Sequence, residues 1–142
     1  AGAIAMGYGG IVMGTRFIAS NECEFPQQFK LLIPPAKAED TMLIQGVIAN
    51  IRVYNNKYGQ KHSGTISKEQ KLAYEKEFLQ SDQWKEDVQS YDRVYDGDVV
   101  NTCLPMGQAA GVTKKIENVS EIIESVMKEA ENYIKNATKS LM

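Results

Sequence analysis

Residues 9–17 have the sequence Gly9-Gly10-Ile11-Val12-Met13-Gly14-Thr15-Arg16-Phe17. The apolar run 11–13 is short, contains two β-branched residues and is flanked by glycines, a pattern that favours a fully buried parallel strand. Gly14 and Thr15 break this strand, and a new helix begins at Arg16. A buried strand that passes through a tight turn into a helix is typical of α/β proteins. We therefore predict an α/β fold.

The turn at Gly14 and Thr15 could also bind an anion. Glycine lets a ligand approach the backbone, the first N–H groups of the following helix point towards it, and the threonine hydroxyl can add a hydrogen bond. Many tight strand-to-helix turns with the same residues bind nothing. From the residues alone, a structural turn and a phosphate site therefore both remain open.

The clearest helix lies at the end of the sequence. Asn118 is a suitable N-cap, and Glu121 three residues later forms an approximate capping box. Apolar residues then recur at steps of three and four and form one stripe that needs a partner surface. We predict a helix over 118–141 whose buried side includes Ile122, Val126, Ala130 and Tyr133.

The middle of the chain is predicted to be mainly helical. Residues 24–33 have the apolar spacing of a short helix that stops at Pro34-Pro35, and Ser67 can cap a helix over 68–79. Residues 41–54 contain β-branched side chains interrupted by asparagines, so we predict an irregular segment with one short strand.

Composition excludes several classes of protein. The net charge of -2 favours neither a nucleic-acid nor an anionic membrane partner, and no apolar run approaches the roughly 20 residues that span a bilayer. No secretory signal is recognisable, so a cytoplasmic location is expected. Cys23, Cys103 and His62 cannot form a four-ligand zinc site; two free thiols are expected, with a disulfide as the alternative. Asp96 and Asp98 could be an acid/base pair or a cation site, but more often form a turn.

Residues 10–19 resemble the "G-V-x-M-G-T-R-F" segment of nitronate monooxygenases and the related flavin-dependent enoyl-acyl-carrier-protein reductases. Three further stretches match this family in the same order. They are 22–24, 51–58, and 97–100 followed by 106–112, the last of which resembles a "G-Q-x-A-G" segment. The resemblance spans nearly the whole chain, although residues 59–92 do not align safely with the family.

The resemblance implies that this chain is the C-terminal fragment of an FMN-binding TIM barrel followed by a mainly helical segment. Residues 1–20 would be the last barrel strand and the phosphate-binding turn, 21–117 a helical or irregular segment, and 118–142 the amphipathic helix. Barrel enzymes commonly bind phosphate in the loops after strands seven and eight. The implied cofactor-binding residues are Gly10, Met13, Gly14, Thr15 and Gln108. For Gln108, a tight packing turn is an equal alternative.

The implied activity is the oxidation of alkyl nitronates with dioxygen by an FMN-dependent enzyme. Reduction of an enoyl thioester by NAD(P)H through FMN is the alternative, and a non-catalytic helical module that pairs with its own copy is a third. The family's catalytic histidine segment has no match here, and His62 is predicted to be a solvated loop residue, so whether this chain is an enzyme stays open. The opening residues 1–6 resemble the middle of a helix, which suggests a piece of a longer protein. We expect the chain to form an oligomer or to associate with the remaining barrel.

Overall fold

A computed structural model describes residues 1–45, 50–64 and 67–140. In chain order the elements are helices α1 (Gly2–Ala5), α2 (Thr15–Ile18) and α3 (Gln27–Lys30), strands β1 (Thr41–Gln45) and β2 (Asn50–Tyr54), and helices α4 (Lys57–Lys61), α5 (Lys68–Leu79), α6 (Asp82–Asp92) and α7 (Val119–Ser140). Short 3₁₀ helices cover Ala38–Asp40 and Gln108–Val112. The mixture of helices with a small sheet agrees with the α/β prediction in general terms.

The sheet is an antiparallel hairpin, in which Thr41 is paired with Tyr54 and Ile44 with Ile51. The prediction of an irregular segment with one strand was therefore wrong, because two strands form. Ile44 and Val53 are almost completely buried in this hairpin. The backbone N–H of Tyr54 donates to the carbonyl of Leu104 at 2.9 Å, so the segment that contains Leu104 is hydrogen-bonded to β2.

Two apolar clusters form the core. The larger cluster contains buried residues just after α2, in and after α3, after α6, and in and before Gln108–Val112. Its members are Ala19, Phe29, Ile33, Ala36, Val94, Leu104, Met106 and Ala110. The smaller cluster lies against the hairpin and consists of Ile44, Val53, Tyr58 and Cys103. Residues distant in sequence therefore meet around α2 and α3.

The prediction of a buried strand at 11–13 was wrong. These residues belong to no helix or strand, and the side chains of Ile11 and Val12 are exposed, Val12 completely. A parallel strand needs a neighbouring strand to accept its ladder hydrogen bonds and to cover its side chains. Within 1–45, 50–64 and 67–140, no backbone pairs with this run, and its apolar composition alone cannot make it a strand.

Helix α7 confirms the predicted C-terminal helix, while the predicted end at Leu141 lies outside the described residues. Ile122 and Ala130 are buried and Val126 is half-buried, as expected, but Tyr133 is 67% exposed. The prediction for Tyr133 was wrong, because the described residues of α7 that are buried end at Ala130 and residues 131–137 are all exposed.

The capping prediction for α5 is confirmed. Ser67 and Gln70 form a capping box, in which each side chain accepts a hydrogen bond from the other residue's backbone N–H. Helix α3 is shorter than the predicted segment 24–33 and includes only Gln27–Lys30. Cys23 and Cys103 are free thiols. Among the described helices, none combines the length and apolar character needed to cross a membrane.

Candidate functional site

An open cleft of about 810 Å³ lies between the turn before α2, the segment that contains Gln108–Val112, and the first half of α7. Met13, Gly14, Thr15 and Gln108 line this cleft, so the structure brings together four of the five residues predicted to bind a cofactor. Gly10 does not line the cleft and lies instead on an adjacent apolar groove.

A hydrogen bond joins the two motifs that meet in the cleft. The backbone N–H of Gly107 donates to Oγ1 of Thr15 at 2.8 Å, although the two residues are 92 positions apart in sequence. A Cβ on Gly107 would lie 3.4 Å from that same oxygen, at the close limit of ordinary van der Waals contact. Nothing lies within 4 Å of where a Cβ on Gly14 would be, so the backbone of this turn is open to the cleft.

Two cations of the cleft form ion pairs with the same carboxylate. Glu117 forms an ion pair with Arg16 and a second with Lys115, whose Nζ lies 2.5 Å from Oε1 of Glu117. Its side chain is only 11% exposed. The hydrogen bond from Lys115, followed by the hydrogen bond and charge of Arg16, holds the pKa of Glu117 below its ordinary value. Sequence analysis missed this cluster, because nothing in the spacing of Lys115 and Glu117 indicates that Arg16 lies beside them.

The cleft carries more positive than negative groups. Three cations, Arg16, Lys114 and Lys115, line it together with two carboxylates, Glu117 and Glu129. The remaining lining side chains include small, polar and aliphatic residues, with no aromatic ring, histidine or cysteine among the described lining residues. The site is therefore suited to binding an anion by charge and hydrogen bonding.

Glu117 should make the stability of the protein depend on pH. Since its pKa is lowered on folding, its contribution is present above the ordinary value of 4.5 and is lost as the pH falls through the folded-state pKa. We expect the difference in free energy of unfolding between the wild type and Glu117→Gln to be largest near neutral pH and to shrink below pH 4.5. Urea titrations at several pH values would measure it.

Glu39→Gln provides the control for this experiment, because Glu39 forms only a 4.0 Å ion pair with Lys37 and both side chains are 72% exposed. This variant should differ little from the wild type at any pH. A difference for Glu117→Gln that stays constant from pH 7 to pH 3 would mean that its charge does not contribute to stability.

Other candidate residues lie outside the cleft. The His62 ring packs on Tyr58 with 4.2 Å between ring centroids, and its Nδ1 lies 2.9 Å from the Tyr58 carbonyl oxygen. The Asp98 carboxylate accepts the backbone N–H groups of Val100 and Asn101, both at 2.9 Å, which supports the turn interpretation. Hydrogen bonds from Asn101 lower the pKa of Asp98. In the described parts of the chain, no group of His, Cys, Asp and Glu side chains could hold a metal ion.

Comparisons with known proteins agree with the motifs in the cleft. A family model described as nitronate monooxygenase matches residues 1–129. Two similar solved structures are of FabK from Thermotoga maritima, with a TM-score of 0.73 at 26% identity, and of a point mutant of it, with a TM-score of 0.72 at 27% identity. Each match covers 96% of this chain. It covers 41% of the FabK chain and 38% of the mutant chain. The chain thus spans about two fifths of their length. A search of curated proteins finds no match.

The family model covers both segments that form the cleft, the turn at Gly14 and the segment at Gly107, and reaches into α7. Because it matches residues 1–129 of a chain of 142 residues, the chain belongs to the nitronate monooxygenase family.

Proposed function

We propose that this chain supplies the phosphate-binding part of the FMN site of a flavin-dependent oxidoreductase. The observation that carries the proposal is the cleft in which Met13, Gly14 and Thr15 meet Gln108, because these residues belong to the two most specific motifs of the family resemblance. Gly10 would support the turn from the adjacent groove without lining the cleft.

The residues present fit a phosphate group. The hydroxyl of Thr15 accepts a hydrogen bond from Gly107 and still has its own hydrogen to donate to a phosphate oxygen. The exposed backbone at Gly14 allows close approach, and the cations of the cleft add attraction for a dianion. The described residues that line the cleft include aliphatic but no aromatic side chains, so none of them can stack on the flat ring of FMN through an aromatic ring of its own.

When bound, FMN would supply the redox chemistry, and the role of this chain would be to anchor and orient it. The family description favours oxidation of alkyl nitronates with dioxygen. Reduction of an enoyl thioester by NAD(P)H is the alternative that the same resemblance implies. Assays with each substrate would distinguish the two reactions in the complete FMN-binding enzyme.

Amide NMR spectra recorded during titration with FMN would test the proposal. We expect the amides of residues 13–16 and 107–108 to shift with FMN and to stay unchanged with riboflavin, which lacks the phosphate. Thr15→Val should weaken FMN binding roughly tenfold or more, because a hydrogen bond to a charged group contributes about 1.5–3 kcal/mol. Thr15→Ser retains the hydroxyl and should retain most of the affinity.

Thr41→Val is a suitable control, since the Thr41 hydroxyl donates to the carbonyl of Ala38, outside the cleft. It should leave FMN affinity unchanged. Equal shifts with riboflavin and FMN, or shifts confined to residues outside the cleft, would contradict the phosphate assignment.

A second candidate function is supported by the exposed face of α7. Ile123 and Met127, one turn apart on α7, are each about half exposed and form an apolar face of the helix. A helical module that associates with its own copy would cover them. Light scattering over a range of concentrations would test this function. Self-association of a colourless sample that does not respond to FMN would favour it.

A further inference from the structure

Lys30, the last residue of α3, is a nearly buried cation, with 7% of its surface exposed. Its Nζ donates to the carbonyl oxygens of Ser20 at 3.0 Å, Asn21 at 3.4 Å and Cys23 at 2.9 Å. An ammonium group has three N–H donors, so these three carbonyls match its full hydrogen-bonding capacity. The side chain of Lys30 thus lies inside the bend of the loop 20–23.

The ammonium group of Lys30 is shared by three carbonyls of this loop. Three carbonyl oxygens converge on one point, and the negative ends of their dipoles would oppose each other without a cation between them. Buried carbonyls that lose their donor also lose the hydrogen bonds that compensate for their removal from water. A neutral side chain at position 30 would therefore favour an open loop in which these carbonyls turn to water.

The same loop is hydrogen-bonded to the residues at the start of α7. The backbone N–H of Asn21 donates to the carbonyl of Glu117 at 3.0 Å, and the Asn21 side chain donates to that of Asn118 at 2.7 Å. Both carboxylate oxygens of Glu22 lie 3.0 Å from the backbone nitrogen of Val119, the first residue of α7. A carboxylate at this position is favoured by the positive end of the helix dipole.

We propose that Lys30 is a positioning residue for the cleft. It does not line the cleft, but it sets the conformation of loop 20–23, which in turn places Glu117 and the beginning of α7. Ile122, Ser125, Val126 and Glu129 of α7 form one wall of the cleft. The part of this inference that concerns ligand affinity rests on the proposed FMN function, whereas the part that concerns α7 does not.

Hydrogen exchange in the ligand-free protein tests the inference. Lys30→Met keeps an unbranched side chain that is one heavy atom shorter, and removes its charge and its donors. We expect the amides of Val119, which donates to Glu22, and of Ile122, which donates to the Asn118 carbonyl, to exchange at least tenfold faster, while the amides that pair β1 with β2 keep their protection. Lys37→Met is the matched control, because the Lys37 side chain is 72% exposed, and it should change neither region. FMN affinity, measured under conditions in which both variants are fully folded, should fall at least threefold for Lys30→Met and stay unchanged for Lys37→Met.

Glu22→Ala is a second variant, for the case in which Lys30→Met does not fold, and it tests the contact of loop 20–23 with α7 through which Lys30 would act. The Glu22 side chain is exposed, so the change leaves the core intact, and the amides of Val119 and Ile122 should again exchange faster than in the wild type while the hairpin amides keep their protection. Unchanged protection of these amides, or equal loss of protection in α7 and the hairpin, would overturn the positioning role. If wild-type protein shows no response to FMN, the proposed function fails, while the exchange result still decides the role of Lys30.

Discussion

Replacing Ile122 with aspartate is expected to lower the free energy of unfolding by about 3–5 kcal/mol. Ile122 is completely buried in the first part of α7, a helix that contacts α2, and it lines the cleft. The substitution removes buried apolar surface and places a carboxylate in a site built for an aliphatic side chain. Loss of this contact would free the part of α7 that borders the cleft.

Ile123→Asp is the matched control for this prediction. It makes the same change one residue later on the same helix, but Ile123 is 48% exposed, so its cost should be at most about 1 kcal/mol. Urea denaturation followed by circular dichroism would measure both variants. Equal denaturation midpoints would show that burial at position 122 does not hold α7 to the protein.

The second large effect concerns catalysis. We expect the 142 residues alone, mixed with FMN, to oxidise alkyl nitronates and reduce enoyl thioesters no faster than free FMN does. The described residues that line the cleft offer groups for a phosphate, but they include no aromatic side chain for the flavin ring and no histidine to move a proton. Flat apolar contacts usually supply much of the affinity for such a cofactor. Under the proposed function, the described residues of the cleft would anchor FMN but would not form its reaction centre.

Steady-state assays with each substrate, with and without NADH or NADPH, would test this expectation. A heat-unfolded sample with the same FMN concentration is the control for reaction by free flavin. Turnover well above that control, abolished by Thr15→Val, would mean that these residues complete a site with catalytic groups beyond those in the cleft.

The parts of the fold that depend on local sequence could be predicted. Helix α7 follows from a regular apolar spacing, and α5 follows from the capping residue Ser67, because helical hydrogen bonds and caps join residues close in the chain. The hairpin could not be predicted, because pairing of Thr41 with Tyr54 depends on a partner segment and not on either strand alone. The strand predicted at 11–13 does not form for the same reason. Its composition is typical of a strand, but no segment among the described residues pairs with it.

The candidate site was predicted in its parts but not in its assembly. Family motifs indicated Gly14, Thr15 and Gln108, and the structure brings them to one cleft. Their meeting depends on the hydrogen bond between Gly107 and Thr15, which no local pattern indicates. The ion pairs of Glu117 and the three carbonyls around Lys30 likewise arise from tertiary contacts, so their residue types alone gave no signal.

The contacts that assemble the cleft determine when it can form during folding. Thr15 and Gly107 are 92 residues apart, Glu22 and Val119 are 97 apart, and Arg16 and Glu117 are 101 apart. Closing such long loops costs entropy before any contact is made, whereas the β1–β2 hairpin closes a short one. We therefore expect the hairpin to form early and the cleft to appear only in the last steps, when both ends of the sequence have come together. Ligand binding would then report completed folding more faithfully than helix content does.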